Sequence, residues 1–134
     1  MSRLLSSRAS ILTVLEAGGL NPATTGKFSA PCVLVEAGDP WASVDLSMGR
    51  RRTGRWRLTL IAGRADSEGV IESLADLVDK TDRALLTLPG VQLPTWERPF
   101  NATEGGVTYA ATAATIPTGI VHGVASLATR SSSK

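Results

Sequence analysis

With 134 residues, 43% of them hydrophobic and 19% charged, the chain is long enough to bury one core and short for two. Fourteen basic residues against twelve acidic ones leave a formal charge of +2, too little for a surface given over to polyanions. One cysteine, Cys32, excludes an intramolecular disulfide, and within the apolar run Cys32-Val33-Leu34-Val35 it reads as a buried thiol.

Leu4, Leu5, Ile11, Leu12 and Leu15 recur at helical spacing, which predicts a first helix over residues 3–17 that leaves through Gly18-Gly19. The run Ile11 to Leu15 within it is too short to span a bilayer and has no small-residue cleavage site behind it, so neither export nor membrane insertion is expected. Residues 21–26 read as loop. Residues 31–36 are apolar and β-branched enough for a buried strand, which Asp39-Pro40 is expected to break. A second short strand is expected over 41–46, then a glycine-bracketed basic hairpin loop from Ser47 through Met48, Gly49, Arg50, Arg51, Arg52 and Thr53 to Gly54. In residues 55–62, Trp56, Leu58 and Leu60 alternate with Arg57, Thr59 and Ile61, the pattern of a half-buried strand.

The clearest element is a helix over residues 67–88. At 3.6 residues per turn, Val70, Ile71, Leu74, Leu77, Val78, Thr81, Leu85 and Leu88 fall on one face, opposite Glu68, Glu72, Asp76, Asp79 and Arg83. Asp66 or Ser67 should cap it and Pro89-Gly90 stop it. Beyond it, residues 91–93 read as a brief strand cut by Pro94, and 96–99 as edge structure. Glu104-Gly105-Gly106 is a turn leading into a long strand over 107–116, and residues 126–134 read as a flexible tail behind a single domain of residues 1–125.

This order predicts an α+β domain: a mostly antiparallel sheet of four to five strands with two helices packed on one face. The expected core is Leu12, Leu15, Val33, Val35, Trp56, Leu58, Leu60, Ile71, Leu74, Leu77 and Val78. Thr59, Thr108, Thr112 and the alternating alanines point to a polar or small second face, open to solvent or to a neighbouring subunit.

Catalytic patterns are scarce. His122, the one histidine, has no partner at metal-ligand spacing, and no phosphate-binding loop, G-x-S-x-G or H-E-x-x-H occurs. The acidic helix side is explained by the i,i+4 pairs Asp76–Lys80 and Asp79–Arg83. The sequence therefore points away from an enzyme and calls for no metal or cofactor. The arginine triplet is the feature that asks for a partner, with three readings: a solvated loop, a nucleic-acid contact with Trp41 or Trp56 stacking on bases, or docking to an acidic protein surface through paired carboxylate bonds.

The helix ending near Gly18-Gly19, the strand Pro31-Cys32-Val33-Leu34-Val35, the strand Arg55-Trp56-Arg57-Leu58-Thr59-Leu60-Ile61-Ala62 and the following helix together resemble the tail-terminator proteins of long-tailed bacteriophages. The resemblance covers residues 3–116 and implies a structural virion protein. Such a protein forms a hexameric ring on the last ring of the tail tube, stops tube polymerisation and presents a surface to the head-closure and connector proteins, with genomic DNA only passing through its lumen. It would be assembled in the host cytoplasm and end in the tail neck. The segment Met48 to Gly54 occupies the position from which a loop reaches an adjacent protein, and it should be exposed and poorly ordered in an isolated subunit. The alanine- and threonine-rich end after Ala110 departs from the family pattern. A head-closure or tail-completion protein of the same neck, and a small nucleic-acid-binding module, are the alternatives.

Overall fold

A computed structural model describes residues 3–24, 29–45, 51–89 and 91–120. The elements run α1 (Arg3–Ala17), β1 (Pro22–Ala23), β2 (Cys32–Asp45), β3 (Arg51–Arg64), α2 (Val70–Leu85), β4 (Phe100–Glu104) and β5 (Val107–Ile120). They form a five-stranded sheet in the order β1-β2-β3-β5-β4, antiparallel except for the β1–β2 pair. The α+β class with a mostly antiparallel sheet is as the sequence predicts. The expected tail and His122 lie outside the described residues.

The bounds of α1 are those expected. Gly19 takes a φ of 83°, which lets the Leu20 N–H reach back to the Leu15 carbonyl at 3.0 Å and close the helix. Ile11 and Leu15 are fully buried, and Leu12 only partly.

The strands differ from expectation. Residues 32–45 form one strand: Asp39-Pro40, a cis peptide, does not end it. From Ala37 to Ala42 β2 advances five residues while β3 goes back only two, from Trp56 to Gly54, so β2 bulges outward and then resumes pairing. Gly38 is required in this bulge, since a Cβ there would stand 2.8 Å from the Arg55 carbonyl oxygen. Strand β3 starts at Arg51, so Arg51, Arg52, Thr53 and Gly54 are strand and not loop, opposite Asp45, Val44, Ser43 and Ala42. Hydrophobic alternation is blind to this stretch because backbone hydrogen bonds, and not burial of one face, carry the ladder outward.

Residues 22–23, read as loop, add a short parallel strand to the edge. Residues 91–93 form no strand. The segment 91–99 instead follows the β5 edge irregularly, held where the Glu97 N–H donates to the Ala113 carbonyl at 2.8 Å and the Thr112 Oγ1 donates to the Glu97 carbonyl. Pro94 and Pro99 lack the donors that a continuous ladder would need.

Helix α2 is shorter at both ends than residues 67–88. Its N-cap is Gly69, at φ 77° and without a side-chain cap bond, because the tight turn out of β3 needs a left-handed residue where Asp66 and Ser67 cannot serve. Val70, Leu74, Thr81, Ala84 and Leu85 are buried, and Leu77 and Val78 partly. Ile71, expected in the core, is 54% exposed. Val70 takes the contact with the sheet, 3.8 Å from where a Cβ on Gly63 would lie, and its neighbour is turned about 100° away.

Both helices pack on one sheet face. Trp56, Leu58, Leu60, Val33, Val35 and Ile116 meet Ile11, Leu15, Leu74, Ala84 and Leu85 in the main core. The second face corrects the expectation of a polar or small surface: Cys32, Leu34, Ile61 and Ala111 are buried there, with Phe100, Ala102 and Tyr109 packed on them. Thr112 does not belong to that face, since it pairs with Leu60 and so shares the helix side. Thr59, across from Leu34 and Ala113, does lie on the second face, so the departure from expectation is in the parity of β5.

Thr81 is fully buried, and its hydroxyl finds no hydrogen-bond partner among the described residues. Two substitutions of opposite sign follow. Leu74→Ala should destabilise by about 2 to 5 kcal/mol in chemical denaturation, through lost transfer energy and the cavity left behind. Thr81→Val keeps the shape and removes the orphaned hydroxyl, so the unfolding free energy should rise by about 1 kcal/mol.

Candidate functional site

The β2–β3 hairpin carries the residues that sequence reasoning singled out. Arg51, Arg52, Thr53 and Gly54 lie on its β3 arm, while Met48, Gly49 and Arg50 lie outside the described residues, as does the expectation of a disordered tip. Gly54 is buried and its carbonyl accepts a bond from Thr118 Oγ1 at 3.2 Å, which ties β5 to the hairpin. Arg55 Nη1 donates to Ser43 Oγ at 2.7 Å across the two arms. The hairpin is thus braced by polar contacts where the apolar core no longer reaches it.

At its root stands Trp56, 2% exposed. The indole N–H donates to Ser7 Oγ at 2.9 Å, and the Ser7 hydroxyl donates to the Leu4 carbonyl at 2.7 Å, so the ring is fixed to the first turns of α1. The Arg8 guanidinium lies 5.8 Å from the ring centroid, within cation–π range. Trp41 meets Trp56 edge-on, with centroids 5.6 Å apart and planes at 79°. Trp41 itself is 43% exposed. Sequence reasoning did not join Arg8 to these two tryptophans. The available signal was Gly38-Asp39-Pro40 directly before Trp41, three turn-forming residues inside a strand pattern, which marks a bulge as readily as an end.

On the opposite face a charged row crosses the sheet. Glu36 sits directly across from Arg57, and Arg57 bonds both carboxylate oxygens of Glu97, at 2.7 and 3.3 Å. Hydrogen bonding to Arg57 holds the Glu97 carboxyl below its usual range, and the same bond raises the Arg57 guanidinium. With side chains 36% and 48% exposed, the pair is screened by water and salt. Glu97 also anchors the irregular segment, whose other fastening is the bond from Trp96 Nε1 to Asp82 Oδ1 at 3.0 Å.

The acidic side of α2 differs from its sequence reading. Neither Asp76–Lys80 nor Asp79–Arg83 forms an ion pair; among the described residues the pairs are Arg57–Glu97 and Arg64–Asp66. Lys80 and Arg83 point instead into a shallow groove of about 220 Å³ between the helices, with Val14, Ala17, Gly18, Ala84 and Thr87. Both helices end there, so the two cations complement their C-terminal dipoles.

Among the described residues no three of His, Cys, Asp and Glu group to hold a metal ion. Burial pushes the Cys32 thiol up to about 11, which keeps it protonated and unreactive at neutral pH. No helix among the described residues is long and apolar enough to cross a membrane. No protein-family model matches the chain, and no curated protein matches it.

The charged row has a pH signature. A carboxyl whose folded pKa is depressed contributes stability that is present above its unfolded value, about 4.3 for glutamate, and is lost as pH falls through the folded value. Glu97→Gln should therefore lower neutral-pH stability slightly, as suits a screened pair, and flatten the fall in stability below that value by the same amount, read from denaturation midpoints across an acid series.

Proposed function

We propose that this chain is a structural virion protein, a tail terminator whose copies form a sixfold ring that caps the tail tube and joins it to the head-closure proteins. The observation that carries the reading is the arrangement of the hairpin relative to the body. Two helices cover one face of the sheet, and β2 and β3 run on beyond them as paired 14-residue strands, the second of which begins with Arg51 and Arg52. An arm of that kind reaches a neighbour while its own subunit stays intact, because its bracing bonds are local.

The chemistry of the arm favours an acidic protein surface. Arginine forks bond carboxylates in pairs, and the small formal charge of +2 leaves no extended basic field for polyanion binding. The role is one of assembly, with the tail tube on one side of the ring and the connector on the other, DNA passing through the lumen and no membrane involved.

Two outcomes test this. Replacing Arg50, Arg51 and Arg52 together by glutamate should leave the circular dichroism spectrum and melting temperature close to wild type while blocking tail attachment, scored by particle assembly. An image reconstruction of the particle neck should show the chain as a sixfold ring on the tail axis; a single copy, or a ring off the axis, would exclude the reading.

A further inference from the structure

Trp41 is 43% exposed yet held in one place. The β2 bulge delivers it, Gly38 is pressed against Arg55 to allow that bulge, and the Trp56 ring receives its edge. Arg8 lies over the same Trp56 ring, and among the described residues it has no carboxylate partner within 4.0 Å. A half-exposed tryptophan and an arginine on a rigid seat are the side chains that dominate binding energy in protein interfaces, because they lose little freedom on contact.

The chain also carries a complement. At the start of α2, Ile71 is 54% exposed, Glu72 follows it, Ala75 lies one turn on, and Glu68 stands in the preceding turn. Glu68 and Glu72 likewise form no ion pair among the described residues. The two patches are at opposite ends of the body. Arg8 and Trp41 lie at Trp56, and α2 begins beside Gly63, seven residues along β3, or roughly 23 Å at 3.3 Å per residue.

We propose that Trp41 and Arg8 of one copy dock head to tail on Ile71, Glu72 and Ala75 of the next, the tryptophan covering the isoleucine and the guanidinium pairing with the carboxylate. This rests on the ring reading and names the surfaces of neighbouring copies that meet. A two-fold pairing of either patch with itself would oppose Arg8 to Arg8, or Glu72 to Glu72, whereas a heterologous contact pairs opposite charges and closes into a ring when its rotation allows. The β5 edge beyond Ala113 serves less well for strand addition. On the uncovered edge of β5 the backbone groups of Ala113 point outward, so those of Pro117, four residues on, do too, and proline has no N–H to offer.

Sedimentation equilibrium of the full chain from micromolar to millimolar concentration tests the contact. Arg8→Glu and Glu72→Arg should each weaken association at least about tenfold, and the double exchange should restore it to within about threefold, since only the sign of the pair is reversed. Ile71→Asp, on an already exposed position, should weaken it without touching the Trp56 seat. Circular dichroism identifies any variant that fails to fold, and Glu72→Arg with Ile71→Asp then carries the test. Rings that form with the single variants unaffected, or with no rescue in the double, would overturn this contact and leave the ring reading standing. A two-fold dimer as the end state, or a wild-type chain monomeric at millimolar concentration, would overturn it too, and the neck reconstruction would then judge the ring independently.

Discussion

The fold depends on the contact between the Trp56-Leu58-Leu60 side of β3 and the inner faces of the two helices. Strand β3 is hydrogen-bonded on both flanks, by β2 and by β5, so its side chains cannot relax sideways and the helices must fit them. Each fully buried side chain of this kind contributes roughly 1.5 to 3 kcal/mol relative to exposure. Trp56 adds a polar lock. Its indole N–H is bonded to Ser7, so the position of α1 along the sheet is set by a directional bond as well as by apolar packing.

That lock divides the molecule. Toward Gly63 from Trp56 the sheet is covered by helices on one side and by Phe100 and Tyr109 on the other. Past Trp56 in the other direction the cover ends, and cohesion passes to cross-strand bonds such as Arg55 to Ser43 and Thr118 to Gly54. Bonds of this type are worth about 1 kcal/mol each, against several for a buried leucine and its surroundings. The hairpin is therefore the part of the described structure whose loss would least disturb the body.

The surface repeats this economy. Charges are sorted by element: arginines along β3, carboxylates along the outer side of α2, with two ion pairs among the described residues, Arg57–Glu97 and Arg64–Asp66. Carboxylates left without an internal partner are cheap while they stay in water. They become informative only beside exposed Ile71, because an apolar side chain framed by charges has the composition of a contact surface.

How much was legible in the sequence can be seen residue by residue. The bounds of α1, the alternation of Trp56, Leu58 and Leu60, the long β5 and the identity of α2 all rest on local rules, a helical or two-residue period closed by glycine or proline, and those rules act within one element. The continuity of β2 through Asp39-Pro40, the inclusion of Arg51 to Gly54 in β3, and the burial of Cys32, Leu34, Ile61 and Ala111 on the second face depend on which strand lies alongside. So does the parity of β5: whether Thr112 points to the helices or away is settled by its pairing with Leu60, and no period in the sequence carries that phase. The candidate contact surface has the same origin. Arg8, Trp41 and Trp56 are distant in sequence and meet only because the β2 bulge and the Ser7 bond bring them to one place. Composition and periodicity determined the elements and the class of fold; register, bulge and helix roll, which are set by packing between elements, were decided only by the tertiary structure.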